Sequence, residues 1–542
     1  MAPASPGTGG HHLRTSLPLL LLSLLTSGCP SGDPVERLVS QLDDAAHRER
    51  AIDGLLVLVR QSPARERAAV KLRVVNALAD AYREDTARPQ IVSALAILRD
   101  PAAEEVFVAA LKDVERGGAY FEAAVRSARM LGELGLKKQT PVLVETLKRA
   151  LAAPRQDRNT WLERSVIQAL ETLGDRRAVP VLIRALDADP SQVDFYVNRL
   201  AARALGRMGD RRAVKPLVDS LGATAHGLLL FEESRRALCR IGPPALDGLL
   251  SAAAKRDRRG QPERNAAAAA RVIADIGLPR TTAKLAGLVK PRDPAALVLA
   301  VAEALLRLGD RGGEALLLDL VKDPRAGATS RRHAAALLGW YGSAEALVPL
   351  LRPSCEKPDG PAGQLVCWGV ALAVSRVAGA RGVEVLDKLL TSMQDKATRR
   401  NLEEYRARFE LMQTCDQSLD CYREQLATAK SWRQRERAAL ALGRSGDIKV
   451  ASALARALPE AHPQVKRAIL VALEQLAVQG RLEDVRAALV RTFEQQGKDS
   501  DPNGATPPST ISRVLCLAER LGRQAHERAD KGGEQQNDRV KR

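Results

Sequence analysis

The sequence predicts an all-α fold, an α-solenoid of stacked antiparallel helix pairs, and three observations point there. The stretch Leu173-Gly174-Asp175-Arg176-Arg177-Ala178-Val179-Pro180-Val181-Leu182-Ile183 returns 35 residues later as Met208-Gly209-Asp210-Arg211-Arg212-Ala213-Val214-Lys215-Pro216-Leu217-Val218. A self-match at that period marks a stack of repeats. Val179, Leu182, Ile183 and Leu186 stand at i, i+3, i+4 and i+7, and Val214, Leu217, Val218 and Leu221 repeat the spacing, so each copy holds a helix with one apolar face. Aromatic residues make up only 3% of the 542. Packing therefore rests on Leu, Ala and Val, and Leu and Ala are strong helix formers.

The repeating unit reads as helix, Gly-Asp turn, helix. Gly174 and Gly209 end the first helix because Gly takes positive φ cheaply. Asp175 and Asp210 then stand where a carboxylate caps the next helix. Pro180 and Pro216 fall near that helix's start, where a missing N–H costs little. The pattern Ala169-Leu170, Leu173-Gly174-Asp175, Ala178-Val179, repeated as Ala204-Leu205, Met208-Gly209-Asp210, Ala213-Val214, resembles HEAT repeats. The resemblance is to the short variety of the phycobilisome-lyase HEAT-like family and covers most of residues 65–490. It implies a HEAT/armadillo-like superhelix and says little about function.

In chain order, residues 1–28 read as a signal peptide of lipoprotein type. The apolar run Leu17 to Leu25 is too short for an ordinary membrane span. Leu25-Thr26-Ser27-Gly28-Cys29 resembles a bacterial lipobox, although Thr26 stands where Leu is usual. The resemblance implies that Cys29 is lipidated and becomes the mature N-terminus; an ordinary secretory signal is the alternative. Residues 29–34 would be the tether. Pro30, rather than Asp, follows Cys29, which by the same resemblance leans towards the outer membrane, facing the periplasm or the cell surface.

Residues 35–494 read as the solenoid, with 35–100 a divergent N-terminal cap of the kind a repeat stack needs at its end. Its turn glycines are Gly135, Gly174, Gly209, Gly242, Gly277, Gly309, Gly342, Gly379, Gly446 and Gly480, spaced by 32 to 39 residues with one gap of 67. Pro353 to Gly363 reads as an insertion. Residues 495–510 form a polar linker, and 511–542 a short helix followed by a disordered charged tail.

The net charge is +18, and residues 201–300 supply half of the excess with 18 basic against 9 acidic residues. Such a patch attracts polyanions or acidic proteins, or is simply a solvated face. The candidate basic surface comprises Arg176, Arg177, Arg211 and Arg212 at the turns, with Lys255, Arg256, Arg258 and Arg259 in a loop. Cysteine spacing suggests disulfides between Cys355 and Cys367 and between Cys415 and Cys421, because close pairs in an oxidising compartment favour them. Cys239 and Cys516 read as apolar core residues.

No cofactor or metal site is legible. The seven His are scattered and none forms H-E-x-x-H. Deoxyhypusine hydroxylase, a HEAT-like enzyme, uses repeated His-Glu pairs, and here His526-Glu527 stands alone. No nucleophile elbow or phosphate loop is present. The sequence therefore predicts a non-enzymatic, membrane-anchored HEAT-repeat scaffold for protein–protein interaction in the bacterial cell envelope, its partner an unknown envelope protein. A lyase-like or assembly-factor role, by resemblance to HEAT-like bilin lyases, is the first alternative. Binding of nucleic acid or another polyanion through 201–300 is the second, disfavoured by sparse aromatics and by export.

Overall fold

The computed structural model describes residues 33–84, 87–154, 160–189, 194–225, 228–377, 380–407, 415, 418–459, 461–479, 485–491, 510 and 512–523. The proposed signal peptide, Cys29, nearly all of the 495–510 linker and the tail beyond 523 lie outside them. Two compact units divide the chain, residues 1–130 and 131–542.

The first unit holds α1 Pro34–Val39, α2 Arg48–Gln61, α3 Arg67–Arg83, α4 Arg88–Leu98 and α5 Glu104–Lys112, with α6 Ala119–Glu133 following. The carboxylate of Asp33 opens α1 by accepting the Val35 N–H at 3.1 Å, as a capping Asp does. α2 buries Ala51, Ile52, Leu55, Leu56 and Val59, and α3 buries Val74, Val75 and Leu78. Each set is one stripe at helical spacing, so these helices close a core through one face.

The second unit is the repeat stack. Its first helices are α8 Thr160–Leu173, α10 Phe195–Met208, α12 Phe231–Ile241, α14 Ala266–Ile276, α16 Ala295–Arg307, α18 Ala328–Tyr341 and α20 Gly360–Val377. The second helices of each pair are α7 Thr140–Ala152, α9 Val179–Asp187, α11 Val214–Asp219, α13 Leu246–Ala254, α15 Thr282–Ala286, α17 Gly312–Lys322, α19 Ala344–Cys355 and α21 Ala380–Ser392. Then come α22 Lys396–Ala407 and helices Leu419–Thr428, Trp432–Arg444, Ala451–Ala457, Pro463–Gln479, 485–491 and 512–523. A two-residue hairpin, Thr224–Ala225 against Leu228–Leu229, is the strand pair among the described residues.

Each first helix lies against the next. A Cβ added to Gly206 would stand 2.5 Å from the Cα of Ala237, and one on Gly443 would stand 2.5 Å from the Cβ of Ala472. No larger side chain fits, so these helices approach almost backbone to backbone. The second helices carry the apolar teeth. Leu182 and Leu217 are fully buried, whereas Ile183, which the spacing places on the same face, is only partly covered.

At the turns, Gly174 and Gly209 have φ of 64° and 62°. Asp175 and Asp210 each accept the backbone N–H two residues on, from Arg177 and Arg212, at 2.9 Å. They cap one short 3-10 turn, Arg176–Ala178 or Arg211–Ala213, before the second helix proper begins. Gly342 departs from the expected pattern: its φ is −82° and the chain leaves α18 extended. Ser343 opens α19 there, its Oγ donating to Glu314 at 2.8 Å.

Two expectations are corrected. The insertion from Pro353 shrinks, because α19 continues through Pro349 and Pro353 to Cys355 and α20 already begins at Gly360. Cys239 and Cys516 are buried, yet they are not thiols: an S–S bond of 2.15 Å joins them across 277 residues of sequence. Spacing along the chain cannot reveal that pair, because only the fold brings α12 to the C-terminal helix. Cys355 pairs with Cys367 (2.10 Å) and Cys415 with Cys421 (2.02 Å).

Candidate interaction face of the first helices

Each first helix turns one face away from the second helices. On α10 the residues of that face form a single stripe, Tyr196, Arg199, Arg203 and Arg207, while its remaining residues are buried. On α8 the corresponding residues are Trp161, Arg164 and Gln168. On α12 they include Arg236 and Arg240.

At α12 this face is filled by the chain itself. The 512–523 helix buries Val514, Leu517 and Leu521 in the core formed by the helices from α16 onward. Arg236 Nε donates to Ser512 Oγ at 2.7 Å, and Arg240 pairs with Glu519 at 3.8 Å. Cys516 is bonded to Cys239 of α12. Arg523 donates to the carbonyls of Cys239 (2.8 Å) and Ile276 (3.2 Å), in the last turns of α12 and α14. Those carbonyls have no partner within their own helices, so the guanidinium takes the place of water.

A buried ionic network lies beneath this helix. Asp275 of α14 accepts from Arg235 at 2.6 Å and from Arg307 at 2.6 Å. Arg307 reaches Glu474 at 2.8 Å, Glu474 also accepts from Arg513, and Arg513 donates to Tyr341 Oη at 2.7 Å. Burial by itself raises the pKa of Asp275, but Arg235 and Arg307 outweigh it and hold the carboxyl at about 2. Glu474 is lowered in the same way by Arg307 and Arg513. Burial pushes Tyr341 up to about 12. These are charges satisfied by partners, as burial demands.

On α8 and α10 the face is exposed and carries two aromatic rings, Trp161 at 67% and Tyr196 at 48% of full exposure. The Arg164 guanidinium stands between them, 5.3 Å from the Trp161 ring and 4.8 Å from the Tyr196 ring, and Arg199 lies 5.4 Å from Tyr196. These are cation–π distances. Arg199 Nε donates to Glu233 at 2.7 Å, Arg203 Nε to Glu171 at 3.0 Å, and Arg207 reaches the same Glu171 at 3.5 Å. Arg164 pairs with Asp194. The Glu171 side chain is only 5% exposed, against 47% for Arg203 and 56% for Arg207. The carboxylate lies underneath and the guanidinium groups lie above it.

The sequence reading missed this stripe, though a signal was present. Trp161 and Tyr196 are 35 residues apart, as are Arg164 and Arg199, the same step as between the two turns.

The basic surface expected from the sequence divides by environment. Arg177 clasps Asp175 and donates to the Lys137 carbonyl at 3.0 Å; Arg212 clasps Asp210 and donates to the Arg176 carbonyl at 2.9 Å. Each therefore ties its turn to the preceding one. Arg176 and Arg211 are exposed. Lys255 pairs with Glu263 at 3.1 Å, and Arg258 and Arg259 are exposed. Arg256 is corrected: it is largely buried, pairing with Asp293 at 2.5 Å and donating to the Leu288 carbonyl at 2.6 Å. It clamps one inter-repeat loop to the next rather than facing a ligand.

Among the described residues, Cys239, Asp275 and Cys516 form a group with metal-ligand atom types. The two sulfurs are bonded to each other and Asp275 is held by two arginines, so the donor set does not suit an ion. A cleft of about 500 Å³ near Arg292, Asp319 and Leu320 also includes Asp293 and Asp323, which already pair with Arg256 and Arg325.

Among solved structures, the chain is similar to the karyopherin Kap121p bound to the extreme C-terminus of the protein phosphatase Cdc14p, at 12% identity and a TM-score of 0.46, over 90% of this chain and 65% of that one. It is similar to human deoxyhypusine hydroxylase in complex with glycerol, at 17% identity and a TM-score of 0.21, over 57% of this chain and 96% of that one. It is also similar to the CpcE–CpcF complex of phycocyanin lyase from Nostoc sp. PCC7120, at 20% identity and a TM-score of 0.20, over 56% and 93%. No function passes from these likenesses to this chain. No curated protein matches it. The family model for HEAT repeats matches residues 147–234, the span from α7 to α12, and the stack of helix pairs that contains them is an α-solenoid.

Proposed function

We propose that this chain is a protein-interaction scaffold held at a bacterial cell-envelope membrane through Cys29. The observation that carries the scaffold reading is the exposed face of α8 and α10, where two aromatic rings and a row of arginines stand in solvent. Exposed rings with flanking arginine are the residue types that dominate protein interfaces. The envelope reading is supported by the cysteines: all six besides Cys29 are joined in three disulfides, the usage of an oxidising compartment.

The test uses the full-length chain in its host or a bacterial surrogate. A photo-crosslinking residue is placed at position 161 or 196, with position 258 as control, and membranes are separated from soluble extract. Membrane partition that is lost with Cys29→Ser, and a crosslinked protein from 161 and 196 but not from 258, is the expected result. Wild-type chain in the soluble fraction would remove the anchor. Crosslinks equal at all three positions would remove the face.

A further inference from the structure

We infer that the α8–α10 face accepts an acidic amphipathic helix of a partner protein. This rests on the scaffold reading above and names the chemistry of the partner.

The stripe presents donors outward. Arg199 and Arg203 each spend Nε and one terminal nitrogen on a carboxylate lying below, Glu233 or Glu171. The guanidinium is a fork of five N–H donors, and the second terminal nitrogen of each has no partner among the described residues. Arg203 and Arg207 share one carboxylate, so positive charge exceeds negative at the surface that a partner meets. Carboxylates are the complementary group, and Arg suits them in bidentate geometry.

The spacing selects a helix. Arg199, Arg203 and Arg207 recur every fourth residue on α10, a step of about 6 Å along the axis. A helix lying alongside with Asp or Glu at every fourth residue repeats at the same step, so three carboxylates meet three guanidinium groups in register. Trp161 and Tyr196 then need apolar cover, which the neighbouring stripe of an amphipathic helix supplies.

The molecule already shows what this face takes. Two first helices on from α8, at α12, the same face is covered by a helix whose Glu519 meets Arg240 and whose Cys516 is bonded to Cys239. The α8–α10 stripe continues that covered face. A single-stranded nucleic acid is a poorer fit. Arg164 already occupies the space between the two rings, so a base cannot stack there between them.

The experiment titrates full-length chain with three labelled probes: a helical peptide bearing Glu at every fourth position beside a Leu stripe, its Glu→Gln counterpart, and a single-stranded oligonucleotide of equal charge. The Glu peptide should bind at least about tenfold more tightly than the Gln peptide, as three exposed ion pairs allow, and the difference should shrink with salt. Arg203→Ala with Arg207→Ala should abolish that preference, and Trp161→Ala, at an exposed position that leaves the fold intact, should weaken both peptides. Arg211→Ala, on the turn edge, should change neither. Equal binding of the two peptides overturns the proposal. So does tighter binding of the oligonucleotide that the same variants remove. A crosslinked partner at 161 in a chain that ignores the Glu peptide would leave the scaffold reading standing and remove the acidic helix alone.

Discussion

The face of α8 and α10 and the face of α12 belong to the same layer of first helices, yet they end differently. On α10 the arginines stand over buried carboxylates and point into solvent. On α12 the equivalent residues Arg236 and Arg240 meet the chain's own C-terminal helix, which is disulfide-bonded and almost wholly buried. Arginine is used in both regions and means different things. Arg523 solvates the last carbonyls of α12 and α14. Arg444 does the same for Arg376 (2.7 Å) and Gly339 (3.0 Å). Cations that bond carbonyls need no matching carboxylate, so they raise net charge without making a binding site. Part of the +18 is therefore structural.

The sharpest way to break this comparison is to remove one carboxylate from each region. Glu474→Gln strips the acid shared by Arg307 and Arg513 and leaves two buried cations under-compensated. Breaking such a buried pair costs about 3–5 kcal/mol. Glu171→Gln removes the acid beneath Arg203 and Arg207, which stay hydrated, and should cost under about 1 kcal/mol. Urea unfolding of the two variants measures both. Equal costs would mean that the two faces are not energetically distinct.

Acid sharpens the same contrast. The folded pKa of Asp275 is about 2, below its model-compound value of 3.8, and that of Glu474 is lowered too. A depressed carboxyl contributes stability that is fully present above the unfolded pKa and is lost as pH falls through the folded one. For Asp275 the window runs from about pH 4 down to about pH 2. Amide protection in α14, α16 and 512–523, corrected for the intrinsic exchange rate, should fall in that window, and 1 M salt should change it little because the groups are buried. Unchanged protection of those helices at pH 2 would show that the network does not hold them.

Much of the fold is legible in the sequence alone. The Gly174-Asp175 and Gly209-Asp210 copies carry their own mechanism, a left-handed residue followed by a cap, and Leu182 and Leu217 are buried as their spacing requires. Local rules reach that far because each repeat touches mainly its neighbours. What escaped was non-local. Nothing within a few residues of Cys239 announces Cys516, and nothing around Ser512 to Arg523 announces a helix buried among helices some 270 residues earlier. The stripe on α8 and α10 escaped for another reason. Its signal was the recurrence of Trp161 and Arg164 as Tyr196 and Arg199 in the repeat register, and a search for basic clusters weighs adjacent arginines such as Arg258-Arg259 instead.

The smallest expected effects lie at the turns, where three neighbouring side chains separate cap, clasp and bystander. Asp210 accepts the Arg212 N–H at 2.9 Å, and its carboxyl is held at about 2, first by the Arg212 side-chain hydrogen bond. Asp210→Ala loses the cap and should cost about 1 kcal/mol. Arg212→Ala keeps the cap but loses the clasp and the bond to the Arg176 carbonyl, 2.9 Å away in the preceding turn. Arg212 is half exposed, so its effect should be smaller than that of Asp210→Ala, visible at low salt and erased near 1 M. Arg211→Ala touches neither bond and should leave unfolding unchanged at any salt. Denaturant midpoints for the three variants at low and high salt settle the order. If Arg211→Ala destabilised as much as Arg212→Ala, the clasp between consecutive turns would carry no energy, and the turn arginines would have to be reassigned to a surface that binds something else.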